Sequence, residues 1–433
     1  MKIYSNNEIK LYSSDLLIAD SSRFIPNGSS VVQDGIVLFC GTRKEALDEL
    51  NVNNLKYTEI HYPAVMTPGL VNAHTHLQYT GMSELGKKHY NGMQEWIYAF
   101  DELYEPLSQG EDSIWNNWAL EGATQLIEAG TTAVAEIVTD KEARVAIHDS
   151  GLHGIVYREI MSLENKDWYA GSENRILKSL YIMPDAPGVG LSPHATYSLG
   201  SIPLREITRI AKTFGYRTHI HVAEAPFEAE LIPPININDL GVRLKESEFR
   251  TMRLNGDGRS AIEYLDDIGI LHDACHIAHG IYVNEKDREI LRKRQTCVAL
   301  CPRSNAVIGL DEAPIAAYLQ EGNDLALGTD SLSSSPTLDL LDDAALFCEI
   351  ARKQGYFNKD LHNRLFDIIT RGGAKALGKS EGLRRLGVVN EGSSADFAYF
   401  DVDKNNPLEV LLESGGGHCV ATIISGKTKY ENA

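Results

Sequence analysis

The sequence predicts a (β/α)8 TIM barrel carrying a small β-sandwich domain built from both chain ends. Three observations carry this expectation. Eight short apolar segments read as strands: residues 65–77, 132–138, 154–161, 189–198, 217–224, 276–283, 297–304 and 325–333. Helix-period segments lie between most of them, at residues 113–129, 203–214, 259–268, 285–293 and 314–321. The two ends of the chain read instead as short strands separated by Gly and Asn turns. Strands alternating with helical crossovers over roughly 300 residues suit a barrel at the upper side of the usual size.

Taken in order, residues 17–19, 30–33 and 35–39 are short strand candidates, and residues 396–401 and 420–424 behave the same way near the other end. The expected division is therefore 1–66 with 377–433 as a composite β domain, and 67–376 as the barrel. Two unrelated β appendages are the alternative for the ends. An open doubly wound sheet is the alternative for the middle. No Gly-x-Gly-x-x-Gly opens any of the helices, which leaves a dinucleotide fold little support.

Composition narrows the partners. The 433 residues are 43% hydrophobic and 23% charged, with a formal net charge of -19 spread along the chain. Nucleic acid and anionic membrane therefore find no basic patch, and the expected partner is a small-molecule substrate. A homo-oligomer such as a dimer stays open. The six cysteines show no paired spacing, the first residues lack an apolar signal core, and no run of about 18 apolar residues spans a bilayer. A reducing cytoplasm is the expected setting.

Polar residues gather where the strand candidates end, which is where barrels of this kind place their chemistry. The first strand ends in His74-Thr75-His76, and two residues one apart on an extended backbone point to the same side. Later strands end with Ser192-Pro193-His194, with His219-Ile220-His221-Val222-Ala223-Glu224, and with His276-Ile277-Ala278-His279-Gly280. The last two carry Cys301-Pro302-Arg303-Ser304-Asn305 and Gly328-Thr329-Asp330-Ser331. Burying so many imidazoles and a carboxylate at like positions costs several kcal/mol unless they are paired or bind a metal. One shared metal site accounts for all of them.

These pieces, together with Pro68-Gly69-Leu70-Val71-Asn72-Ala73 before the first histidine, resemble the amidohydrolase superfamily. They are most similar to the aminohydrolase branch with the S-adenosylhomocysteine/methylthioadenosine, guanine and aminodeoxyfutalosine deaminases and the triazine hydrolases. The resemblance implies His74, His76, His221 and Asp330 as metal ligands. Binuclear relatives carry a bridging lysine on the third or fourth strand, and neither Val156-Tyr157-Arg158-Glu159-Ile160 nor Leu191-Ser192-Pro193-His194-Ala195 supplies one. A mononuclear site follows, with Zn2+ favoured and Fe2+ the alternative. Glu224 follows His221 by three residues as the family pattern requires, which leaves His219 as a supporting or core histidine.

The resemblance also implies the roles. The cation lowers the pKa of water, Asp330, a ligand with a second free oxygen, takes its proton, His279 steadies the attacking oxygen, and Glu224 works as general acid and base. His276 competes with His279, but the Ala-His-Gly context favours His279. The deaminases with a Pro-Cys-x-x-Cys signature are a different solution, since no second cysteine follows Cys301 at that spacing. His194 matches a substrate-contacting histidine of the purine-deaminating relatives. Trp96 aligns with a tryptophan on a helix over the site, and Glu105 then falls where those enzymes hold a ribose hydroxyl, with a solvated helix face as the alternative. Gln78, two past His76, is expected on the same side as the ligands, and Arg158 and Arg303 are placed either to meet a substrate carboxylate or to pair with a neighbouring acid. Residues 226–257 are polar and Pro-Asn-rich and read as a lid or an oligomer contact.

The implied activity is hydrolytic deamination of an aminated heterocycle, a purine nucleoside or a relative such as aminodeoxyfutalosine. The alternatives are a chlorohydrolase or cyclic amidase at the same site, and a metal-free binding or assembly protein.

Overall fold

A computed structural model describes residues 7–110, 113–180, 188–230 and 248–432. Most of the segment at 226–257, read from sequence as a lid or contact, lies outside the described residues. Two eight-stranded sheets organise the chain.

The first sheet takes strands from both ends. It contains β1 (Ile9–Asp20), β2 (Arg23–Pro26), β3 (Gly28–Gln33), β4 (Ile36–Thr42) and β5 (Thr58–Pro68). The second sheet is the parallel barrel in sequence order: β6 (Leu70–Thr75), β7 (Thr131–Val138), β8 (His153–Ile160), β9 (Gly188–Pro193), β10 (Arg217–Val222), β11 (Cys275–His279), β12 (Cys297–Leu300) and β13 (Leu325–Leu327). The chain then returns to the first sheet through β14 (Phe397–Phe400), β15 (Cys419–Ile424) and β16 (Lys427–Glu431). The order there is β16-β15-β14-β5-β1-β3-β4, with β2 on β1. This is the (β/α)8 barrel with an appended sheet from both termini that the sequence predicts.

Residues 65–77 read as one strand but form two. The break is at Gly69, where an added Cβ would sit 2.1 Å from Thr132 Oγ1, so only glycine lets the chain pass this close. Val65 and Met66 therefore pair with β14 in the first sheet, while Leu70 begins the barrel. Every residue of β7 is buried, as parallel strands covered on both faces require. The helices between the strands start on ordinary caps, such as Ser260 with Glu263 and Asn284 with Asp287.

Closure of the barrel positions the site. Past β13 the Asp330 amide donates to His74 O at 3.0 Å, tying the last strand to the first. Gly328 makes that approach feasible, because a Cβ there would lie 2.6 Å from His74 Cβ. The first sheet grips the bottom of the barrel: Thr422 Oγ1 donates to Ile127 O at 2.6 Å, and the Asp396 carboxylate lies 3.3 Å from His153 and raises the pKa of that imidazole. Among the described residues, no helix is long and apolar enough to cross a membrane.

Candidate metal centre and active site

Three strand ends leave the extended conformation at the top of the barrel. Ala223, His279 and Asp330 have φ of +53°, +72° and +59°, a region non-glycine residues rarely occupy. These turns swing the last polar side chains of β10, β11 and β13 inward over the barrel axis. The result is a buried cluster of His74, His76, His221, His279 and Asp330, none more than 8% exposed. Ligand atoms of His74, His76 and Asp330 lie within 4.8 Å of one another, as do those of His74, His221 and His279.

Hydrogen bonds on the far sides of the rings decide which nitrogens face inward. His221 Nδ1 donates to His194 O at 3.1 Å, so its Nε2 keeps the lone pair. His219 Nδ1 donates to His276 O at 3.2 Å, which makes His219 Nε2 the acceptor for His74 Nδ1–H at 2.7 Å. His74 Nε2 is then a lone pair too, buried and without a hydrogen-bond partner. It stands 3.6 Å from Asp330 Oδ1, and His76 Nε2 stands 3.9 Å from the same oxygen. His76 Nε2 and His221 Nε2 are 3.2 Å apart. Two imidazole nitrogens at that separation, with a carboxylate oxygen beside them, require a proton or a cation between them.

The donors fit a divalent cation. Three neutral imidazoles and one carboxylate oxygen are a set that holds such an ion and leaves a coordination position for water. Burial, and then the neighbouring histidines, push the pKa of His74 and His221 well below the usual value, which keeps them in the neutral ligand form. Asp330 is held by Ser331 N on Oδ1 at 2.8 Å and by Ser304 and Ser334 on Oδ2 at 2.7 and 3.0 Å. Oδ2, a free oxygen in the sequence reading, thus carries two hydroxyl donors, and Oδ1 is the oxygen that faces the imidazoles.

Glu224 and His279 stand beside this set, with Glu224 Oε1 3.4 Å from His279 Nε2. Desolvation, and then the charge of Asp330, push the Glu224 carboxyl up to about 8. His279 Nδ1 donates to Asn305 Oδ1 at 3.2 Å, so Nε2 is an acceptor. Glu228 locks the turn below by accepting from the amides of Glu224 and Ala225 at 2.9 and 3.2 Å. His276, the rival of His279 in the sequence, instead stacks on His219 with ring centroids 3.7 Å apart and bonds to Ala73 O.

Of the expected substrate contacts, the structure brings His194 and Trp96 to the site. The His194 ring lies 5.0 Å from that of His221. Trp96, on the helix Met93–Ser108, donates Nε1 to Ser333 O at 2.9 Å, three residues past Asp330. Of the other four, Gln78 and Arg158 differ from expectation, while Arg303 and Glu105 follow the second of their two readings. Gln78 is fully buried and spent: Oε1 accepts from the amides of Thr139 and Asp140, and Nε2 donates to Asp140. The two-residue strand period fails there because the chain turns into the 3-10 helix Leu77–Met82 directly after His76. Arg158 faces away and donates to Val138 O and Thr139 O at 3.1 and 2.5 Å, while the next residue, Glu159, reaches the cluster. Arg303 is bound to Thr337 Oγ1 and Asp342 at 2.7 and 2.9 Å. Glu105 sits exposed on its helix. Sequence reading passed over Glu159, Ser304 and Ser334, and for Glu159 the strand alternation beside Arg158 was the available signal.

Known proteins are similar throughout. The amidohydrolase family profile matches residues 65–429. A 5'-deoxyadenosine deaminase of Methanosphaera stadtmanae is 24% identical over 95% of this chain and 92% of its own. A 5-methylthioadenosine/S-adenosylhomocysteine deaminase of Thermoanaerobacter pseudethanolicus is 29% identical over 85% of this chain and 82% of its own. Among solved structures, a Xanthomonas campestris adenosine deaminase with bound zinc superposes with a TM-score of 0.78 at 18% identity, covering 98% of this chain and 93% of that one. A Helicobacter pylori aminofutalosine deaminase in complex with methylthio-coformycin gives 0.76 at 17% identity, covering 97% and 99%.

Proposed function

We propose, from the premise that the chain belongs to the amidohydrolase family, that it is a metal-dependent deaminase of an aminated heterocycle. The substrate class is a purine nucleoside or a relative such as aminodeoxyfutalosine, and ammonia is released. The observation that carries this reading is the Glu224 carboxyl, kept protonated near neutrality and 3.4 Å from His279, beside a four-donor metal set. The names of the relatives, deaminases of 5'-deoxyadenosine and of methylthioadenosine, support it.

In this reading His74, His76, His221 and Asp330 hold one divalent ion. Zinc suits three imidazoles and a carboxylate, and ferrous iron fits the same donors. When bound, the ion supplies Lewis-acid activation of water. The chain's own groups do the rest. The Asp330 carboxylate takes a proton from the attacking water, and His279 Nε2 orients that water by accepting a hydrogen bond. Glu224 donates its proton to the ring nitrogen beside the attacked carbon. The proton held by Asp330 then goes to the departing amine, which leaves as ammonia, and Glu224 regains a proton from the hydroxyl as the carbonyl forms. A neutral acid at that position is what protonation of a weakly basic ring nitrogen needs. Half-buried Trp96 and Phe100, with ring centroids 5.3 Å apart, supply an aromatic surface near the end of β13. A cytoplasmic setting is part of the proposal, since the six cysteines are all free.

The test is ammonia release by the metal-loaded protein against adenine-, guanine- and triazine-type compounds. Ammonia from an aminopurine compound is expected. Turnover that frees chloride or opens a cyclic amide without ammonia overturns the reading, and so does a purified protein that carries and binds no metal.

His219 has a role here that is separable from packing. Its Nε2 accepts the His74 Nδ1 proton, which fixes the tautomer His74 needs as a ligand. His219→Phe keeps the ring stacked over His276 but removes that acceptor. Metal affinity, measured by competition with a chromogenic chelator, is expected to fall about 10–100-fold. Unchanged affinity would make His219 a core residue only.

A further inference from the structure

One group in the centre has no part in this mechanism. Glu159, the next-to-last residue of β8, is only 4% exposed. Its Oε2 accepts from Thr139 Oγ1 at 2.5 Å, but Oε1 is buried with no hydrogen-bond partner among the described residues. A carboxylate oxygen of Glu159, a nitrogen of His194 and a nitrogen of His221 lie within 4.8 Å of one another. An unpaired carboxylate oxygen in such a place costs free energy unless something that binds there supplies a cation or a donor.

The tautomers decide between these. His221 gives its Nδ1 proton to His194 O, and its one lone pair, on Nε2, faces His76. A second ion would then keep only Glu159 and His194 as ligands, too few for a resident site. His194 Nδ1 is 2.8 Å from Ser198 Oγ, and the same hydroxyl lies 3.2 Å from Ala195 O. With the Ser198 proton on Ala195 O, Nδ1 is the donor and His194 Nε2 the acceptor. Two neighbouring acceptors without a donor between them await a ligand that brings both donors.

We propose that Glu159 Oε1 and His194 Nε2 form a paired acceptor that selects substrates carrying two adjacent hydrogen-bond donors. Vicinal hydroxyls of a ribose have this chemistry, and so does the ring N–H with the exocyclic amine of a guanine-type base. The inference rests on the deaminase reading for the substrate class and deepens it by naming what the site selects. A site built to accept such protons rejects analogues that lack them far more strongly than an apolar pocket rejects a missing methylene.

The test uses the metal-loaded protein with Glu159→Gln, which places an N–H where the acceptor was, and with Glu159→Leu, which removes the carboxylate and leaves His194 Nε2 alone. Adenosine is compared with its 2',3'-dideoxy analogue, and a guanine-type with an adenine-type base. Ammonia release is followed, together with calorimetric binding of inosine against 2',3'-dideoxyinosine and of guanine against hypoxanthine, pairs in which one member keeps both donors. Both variants are expected to lose about 100-fold in kcat/KM or in binding on the donor-bearing member of one pair. The member lacking the donors should change less than about 3-fold by the same comparison, and metal content should stay at one equivalent. Which pair collapses identifies the source of the donors. Equal losses on both members of each pair overturn the proposal, as does a second equivalent of metal that disappears with Glu159. If the wild type releases no ammonia from any compound, the deaminase reading fails, and the binding comparison still decides whether Glu159 selects donors.

Discussion

Glu224→Gln is expected to lower kcat by about 10³-fold while leaving one equivalent of metal bound. The amide keeps the shape and the hydrogen-bonding reach toward His279 but has no proton of the required acidity to give. Glu224 lies outside the four-donor set, with its Oε1 3.4 Å from His279 Nε2. The substitution therefore removes proton delivery without removing a ligand. Parallel measurement of turnover and of metal content by atomic emission checks this. Loss of the metal would mean that Glu224 is a ligand, and near-normal turnover would mean that the proton comes from elsewhere.

Asp330→Ala should give the complementary result, with loss of bound metal as well as rate. Removing Oδ1 takes away the one anionic donor facing His74 and His76, and leaves three neutral imidazoles to hold a dication. It also leaves the Ser304 and Ser334 hydroxyls without their acceptor. Metal content after dialysis is expected to fall to a small fraction of an equivalent, and kcat/KM by at least about 10³-fold. Full metal retention with the same loss of rate would confine Asp330 to proton transfer. The two substitutions together separate holding the ion from moving protons.

The barrel and its order were legible because each strand is a short apolar run followed by polar residues, and each crossover shows a helical period. The cluster of His74, His76, His221, His279 and Asp330 was legible for the same reason, since all end strands of one parallel barrel. Choices that needed the next turn of the chain were not. Gln78 fails as a substrate contact because strand alternation stops at His76. Arg158 was the conspicuous charge on its strand, but it is Glu159, on the opposite face, that points at the histidines. Arg303 looked available until Asp342 and Thr337, about forty residues on, came into reach of its guanidinium.

Residue identity and spacing by themselves determined that His74, His76, His221, His279 and Asp330 gather where the barrel strands end, because each follows a short apolar run of a parallel barrel. Only the tertiary structure decided what those side chains do with their protons. His219 fixes the tautomer of His74 through a carbonyl of β11, and His194 O fixes that of His221. Two serines, Ser304 from just past the end of the preceding strand and Ser334 from the turn just past Asp330, take the oxygen of Asp330 that sequence left free. A tautomer depends on the partner at the far nitrogen, and that partner comes from another strand. Spacing along one strand carries no information about it.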